Sequence, residues 1–206
     1  MTDGVNRSRT LEGLASEETD MTTADPRPLT GEPIALDLLN TRWMREGELV
    51  DLFAGAFGLS RVEGLAVWLE SAGLAGRFRA DASTLVHLMT AREALARAVA
   101  DPADESARAL VDAVLEHGRI RATLTAEGPG ERAEFDDPTW GPAWTAARNY
   151  LELLASAPGR IHKCASETCV LHFHDTSRNG TRRWCSMSAC GNRAKASRHY
   201  ARTRER

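Results

Sequence analysis

Cysteine is absent from the first 163 residues of this 206-residue chain. Lysine is nearly absent throughout, with two against 24 arginines. No apolar run approaches the roughly 18–20 residues that a membrane span needs. The opening "MTDGVNRSRTLEGLASEETD" lacks the apolar core of a secretory signal, so the cytoplasm is the expected location. A Gly-rich phosphate loop, an HExxH and a GxSxG are all missing, which argues against an enzyme of the common classes. The arginine excess accompanies abundant alanine and reads as the mark of a genome rich in G and C.

All four cysteines fall in the last 43 residues, at 164, 169, 185 and 190. Without an export signal, such clustering favours metal over disulfides. Charge is divided in the same way. Residues 160–206 hold eleven Lys and Arg against three Asp and Glu, a net +8, and the preceding 159 residues carry −11. An acidic body with a basic C-terminal module implies two tasks. The basic part could meet a polyanion or its own acidic body.

Residues 1–30 are polar and aperiodic and are expected to be a disordered extension. Met21 looks like a natural start, and the first twenty residues read as dispensable. From Ile34 the pattern is helical: "IALDLLNTRW" sets Ile34, Leu38, Leu39 and Trp43 on one face. "GELVDLFAGAFG" is apolar but ambiguous. "SRVEGLAVWLESAGL" opens on a capping-box pattern, Ser60 with Glu63, and its expected stripe is Val62, Leu65, Ala66 and Leu69. Two further helices follow, over "DASTLVHLMTAREALARAVA" and "ADESARALVDAVLEHG". "RIRATLTAEG" alternates as a half-buried strand, "GPGERAEF" returns as a second, and "DPTWGPAWTAARNYLELLAS" is a helix with aromatic anchors. Residues 31–157 are therefore a mainly α domain with one small β-hairpin, bounded by Pro158-Gly159.

Residues 160–206 read as a finger. Two C-x4-C pairs, Cys164 with Cys169 and Cys185 with Cys190, can close a tetrahedral four-thiolate site around one structural Zn²⁺. "VLHFHDT" and "TRRWC" are expected strands joined at Asn179-Gly180, a strong hairpin signal that would bring both pairs to its open end. His172 and His174 share a strand face and could replace a sulfur, although such residues ordinarily face solvent. Ser186 or Ser188 can cap a following helix. The order of knuckle, hairpin and helix gives a treble-clef or zinc-ribbon-like fold. On the helix, Lys195, Arg198, Arg202 and Arg206 form one stripe flanked by Arg193 and His199. Cys190, Ala194, Ser197 and Ala201 line another face. Together with Arg178, Arg182 and Arg183 of the hairpin, the stripe is a candidate surface for double-stranded DNA. Otherwise it is a solvated terminal helix.

These residues carry a resemblance. "RRWCSMSACGNRAKASRHYARTR" resembles the CGNR zinc finger, named for Cys190, Gly191, Asn192 and Arg193, and "CASETCVLHFHDTSRNG" fits its first half. "GEPIALDLLNTRW" resembles the start of the ABATE domain that precedes this finger in bacterial stress-related transcription regulators. The resemblance spans about residues 30–206. It implies zinc on the four cysteines, close packing at Gly191, and Asn192 and Arg193 either bracing the hairpin or reaching a base. The function it implies is a zinc-dependent, DNA-binding transcription regulator whose helical domain could sense a ligand. A single small finger then suggests a homodimer or a helper protein. The rival is a zinc module that docks protein or RNA without reading DNA. In the body, Asp37, Asn40 and Thr41 lie together near a helix end and could line an effector pocket, or could bond to neighbouring loops. Trp43, Trp68, Trp140 and Trp144 could line a cavity or simply fill the core. His87 and His117 read as structural.

Overall fold

The hydrophobic pattern places Leu36, Leu38 and Leu39 in a short helix, α1 (Ile34–Leu39), every residue of which after Ile34 is buried. A computed structural model describes residues 24–204. The reading of the first twenty residues as dispensable lies outside the described residues, as does the expected disorder of residues 1–23. Residues 24–30, expected to be disordered with them, are tied down instead. Arg27 is 6% exposed, and its guanidinium donates to Asp25, Asp37 and Ser71. One arginine and one leucine, Leu29, between prolines offer no periodic signal, so the docking was invisible in the pattern.

After α1 the chain turns into a hairpin, β1 (Arg42–Arg45) and β2 (Glu48–Asp51), paired antiparallel with Arg42 opposite Asp51. Glu46 and Gly47 supply its two positive-φ turn positions, at 53° and 87°. Trp43 therefore sits on β1 rather than on the α1 face, and the ambiguous stretch after it is β2 and a 3-10 turn at Leu52–Ala54. Two strands of four residues are too short for alternation to show.

Helix α2 (Arg61–Ser71) begins with the expected capping box, in which the Glu63 N–H donates to Ser60 and the Ser60 N–H to Glu63. Its inward face is Gly64, Leu65, Trp68 and Leu69, and Val62 is 36% exposed. Burying the large Trp68 rotates the helix away from the stripe drawn through Val62 and Ala66. Helix α3 (Ala82–Ala100), capped by Asp81, runs through the centre and packs against α1, α2, α4 (Glu105–Leu115) and α5 (Gly141–Ser156). Trp144 Nε1 donates to the Leu115 carbonyl and Tyr150 Oη to the Ala98 carbonyl, so each of these buried aromatics keeps a polar partner. Between α4 and α5 stands the expected hairpin, β3 (Gly118–Thr125) and β4 (Gly128–Phe135). Most of it is exposed, and its half-buried residues gather mainly at the base. Leu124 near the tip is 83% exposed.

The finger follows as β5 (Ile161–Lys163), β6 (His172–His174), a π-helical turn (Met187–Gly191) and α6 (Asn192–Arg204). Leu171, Phe173 and the cysteines join the same buried cluster as the body, so the two parts share one core. No helix among the described residues is long and apolar enough to cross a membrane.

Candidate metal centre

The finger's first cysteine pair sits where β5 turns back into β6. The Cys164 N–H donates to Leu171, and the Cys169 N–H to Ser166, closing a tight knuckle. The second pair opens the helical segment. Ser186 caps the π turn by accepting from Ala189, and the Gly191 N–H returns to the Ser186 carbonyl. A side chain at Gly191 would meet the Met187 sulfur at 2.7 Å, and Met187, 53% exposed, would have to swing aside to admit it. The Ala165 N–H donates to Arg183, which ties the two knuckles together.

All four thiols are buried, and their sulfurs lie within 4.8 Å of one another. Tetrahedral zinc with Zn–S bonds of about 2.3 Å requires sulfur–sulfur edges of about 3.8 Å. The Cys169–Cys185 and Cys185–Cys190 separations are 3.8 and 3.6 Å. Without a cation, four sulfurs this close cannot all ionise. The hydrogen bond to Cys169 together with burial drives the Cys185 thiol far up, burial raises Cys164, and Cys169 drops to about 5 by accepting from Cys185. A divalent soft ion removes that conflict, because every sulfur then binds as thiolate. The donor set fits one structural zinc. His172 and His174 lie outside the sulfur cluster. Burial holds His172 near 4, in its neutral form.

The strand pairing differs from the expected one. β6 pairs with β5, His172 opposite Lys163, and residues 181–184 form no strand. Asn179-Gly180 does turn the chain, with Gly180 at φ 63°. However, Asp175 claims the Arg182 N–H at 2.9 Å and the Ser177 N–H at 2.8 Å, so the loop closes on a carboxylate rather than on a ladder. These bonds hold the Asp175 carboxyl at about 2. The other edge of β6 is taken by the body. Asn40, fully buried, accepts from the His172 N–H at 2.8 Å and donates to its carbonyl at 2.9 Å, as a neighbouring strand would. Glu32 accepts from the His174 N–H at 2.9 Å.

Several sequence-derived site residues therefore have other duties. Asn40 fastens the finger to the body. Asp37 pairs with Arg27 at 2.7 Å, though burial still raises its pKa. Thr41 accepts from Arg92 at 2.8 Å. Each of the three has a partner within the fold, and Asp37 keeps its Oδ1 buried with no hydrogen-bond partner among the described residues. Arg182 is also turned inward. It stacks on Phe173 at 4.2 Å and donates to the carbonyls of Trp184 and Cys185 and to Glu32. It thus links the second knuckle to the body. Arg193 donates to the Cys190 sulfur at 3.0 Å and offsets thiolate charge. Asn192 reaches the Ser188 carbonyl and braces the π turn. Arg178, Arg183 and Lys195 are exposed. Arg198, His199 and Arg202 belong to α6, and their side chains lie outside the described residues. Glu32 and Arg182 as docking partners were not legible, since isolated polar residues 150 positions apart leave no pattern.

Replacing Asn40 by Ala is expected to destabilise the protein by about 2–6 kcal/mol, because two backbone groups of His172 lose their partner at about 1–3 kcal/mol each. Urea unfolding measures this, and faster amide exchange at His172 and His174 localises it. Unchanged exchange there would mean that the clamp is not holding the strand.

Residues 160–203 match the family model of the CGNR zinc finger. Residues 32–157 match the ABATE family model, described as "Putative stress-induced transcription regulator". No curated protein matches the chain.

Proposed function

The chain belongs to the ABATE family and carries a CGNR zinc finger behind its ABATE domain, and we propose that it regulates transcription by binding double-stranded DNA through that finger. One observation carries this reading. Helix α6 starts directly in the four-cysteine centre, so the metal fixes a helix on which Lys195, Arg198 and Arg202 recur at helical spacing. Arg193, His199 and the exposed Arg178 and Arg183 extend the same charge. Zinc shapes the reader and performs no chemistry. The body is the regulatory half, acting in the cytoplasm. A cavity of about 370 Å³ beside α3 and α4, lined by Leu110, Val114, His117 and Trp140, supports a small apolar effector. Asn40, Glu32 and Arg182 would pass its effect to the finger. A single finger reads few base pairs, so a homodimer fits an operator better.

Arg198→Ala with Arg202→Ala tests the reading. The variant is expected to keep zinc, lose affinity for all duplex sequences alike, and show a salt slope shallower by about one per lost phosphate contact. If it binds as the wild type does across a salt series, α6 does not face DNA. Docking of protein or RNA then becomes the better account.

A further inference from the structure

A cleft of about 430 Å³ opens between the first knuckle and the start of α6. Its size falls in the range of about 300–1,000 Å³ typical of small-ligand sites. Trp184 forms part of the wall and is half-buried. A Cβ on Gly191 would stand 3.4 Å from the indole Cδ1, so that edge of the ring adjoins the end of the π turn. The Trp184 carbonyl is held by Arg182. Arg183 lies over the indole, 5.5 Å from the ring centroid. Arg193 also lines the cleft. One of its donors is spent on Cys190, so the guanidinium is pinned by the metal centre while further N–H groups remain. Ser166 and Thr168 add hydroxyls on the knuckle side, and Glu167 is the one carboxylate in the lining.

An aromatic platform beside two guanidiniums is not what a paired duplex calls for. In a duplex the base faces are stacked on one another and only phosphates and groove edges are presented. The combination suits a single nucleotide, whose base offers a π face and whose phosphate offers the anion. We propose that this cleft binds a nucleotide, with its base on Trp184 and its phosphate between Arg183 and Arg193. The nucleotide is either an unpaired residue of the bound DNA or a free nucleoside monophosphate, since both present the same groups. The inference deepens the nucleic-acid reading above and rests on it, though its small-ligand arm is tested without DNA.

The experiment uses the full-length, zinc-loaded protein. Three labelled duplexes are titrated: one fully paired, one with a single extra adenine, and one with an abasic site in place of that adenine. Deoxyadenosine monophosphate is added as a competitor, and its binding is also measured alone. The wild type is expected to prefer the extra adenine by about tenfold over the other two. Trp184→Leu, with zinc content verified, is expected to bind all three equally. Should that substitution cost the zinc, Arg183→Gln, at an exposed position, replaces it. The Arg183 variant is expected to bind the monophosphate more weakly and adenosine as well as before. Binding of the monophosphate without any preference for the extra adenine supports the cleft and assigns it to a free ligand. Equal affinity for all three duplexes with no binding of the monophosphate overturns the proposal and leaves duplex binding standing. Failure to bind any duplex at low salt overturns the proposed function, and the monophosphate titration then decides the cleft on its own.

Discussion

Cys185→Ser is expected to release the zinc and unfold residues 160–204, while the helices of the body persist at lower stability. Cys185 is the hub of the cluster. Its sulfur lies 3.8 Å from Cys169 and 3.6 Å from Cys190, its N–H points at the Cys164 sulfur, and its carbonyl accepts from Arg182. The finger itself has two strands of three residues and little apolar surface of its own beyond Leu171 and Phe173. A structural zinc contributes about 10–16 kcal/mol to folding such a segment, far more than that core could replace. The body retains the packing of α3 against α1, α4 and α5, which involves no finger residue. It does lose the cover over α1, because Asn40 and Glu32 would face water in place of β6. A drop in melting temperature of several degrees is therefore expected on top of the loss of metal. Metal analysis together with far-ultraviolet circular dichroism reads both effects. One equivalent of zinc and an unchanged melt in the variant would show that the four sulfurs do not hold the ion.

Much of this site was legible because its chemistry is concentrated. Four cysteines in one segment with a basic helix behind them leave few physical solutions, and the sulfurs do converge. The long helices were equally open to reading, since α3 and α5 repeat their apolar residues over several turns. The failures share a cause. The Asn179-Gly180 signal correctly marks a turn, but turn chemistry is local and does not choose the strand that pairs. Asp175 and Arg182 competed for the backbone groups of the expected ladder, and Asn40, 132 residues away, took the free edge of β6. Asn40, Asp37 and Thr41 did stand out as polar residues on an apolar helix. Their grouping marks a junction: one holds the finger, one holds the N-terminal segment, and one holds Arg92.

Arg92→Met is expected to cost the body about 3–5 kcal/mol at neutral pH. Arg92 is 1% exposed in the middle of α3, a position the helical pattern marks as core. Its guanidinium grips Asp51 through two bonds, of 2.8 and 2.7 Å, and also reaches Thr41. It lies over Phe53, 5.1 Å from the ring centroid. Asp51 in turn ends β2 and caps the Leu52–Ala54 turn by accepting from the Phe53 N–H, so one ion pair joins α3, the end of α1 and the β1–β2 hairpin. Methionine fills the space but leaves Asp51 with Arg42 alone, at 3.0 Å and partly in solvent. The pH dependence identifies the cause. Burial pushes the Asp51 carboxyl up, yet Arg92 and Arg42 outweigh it and hold the group below its ordinary value. A carboxyl depressed by folding contributes stability above its unfolded pKa of about 3.9, and that contribution is lost as pH falls through the folded value. The gap between wild type and Arg92→Met should therefore be widest near pH 7 and narrow below about pH 4. Urea melts of both proteins across that range measure it. Adding Asp51→Leu to the variant should recover part of the loss, because it removes the stranded charge. A gap that is constant with pH, or a double variant weaker than the sum of the two singles, would show that Arg92 acts through packing and not through its pair with Asp51.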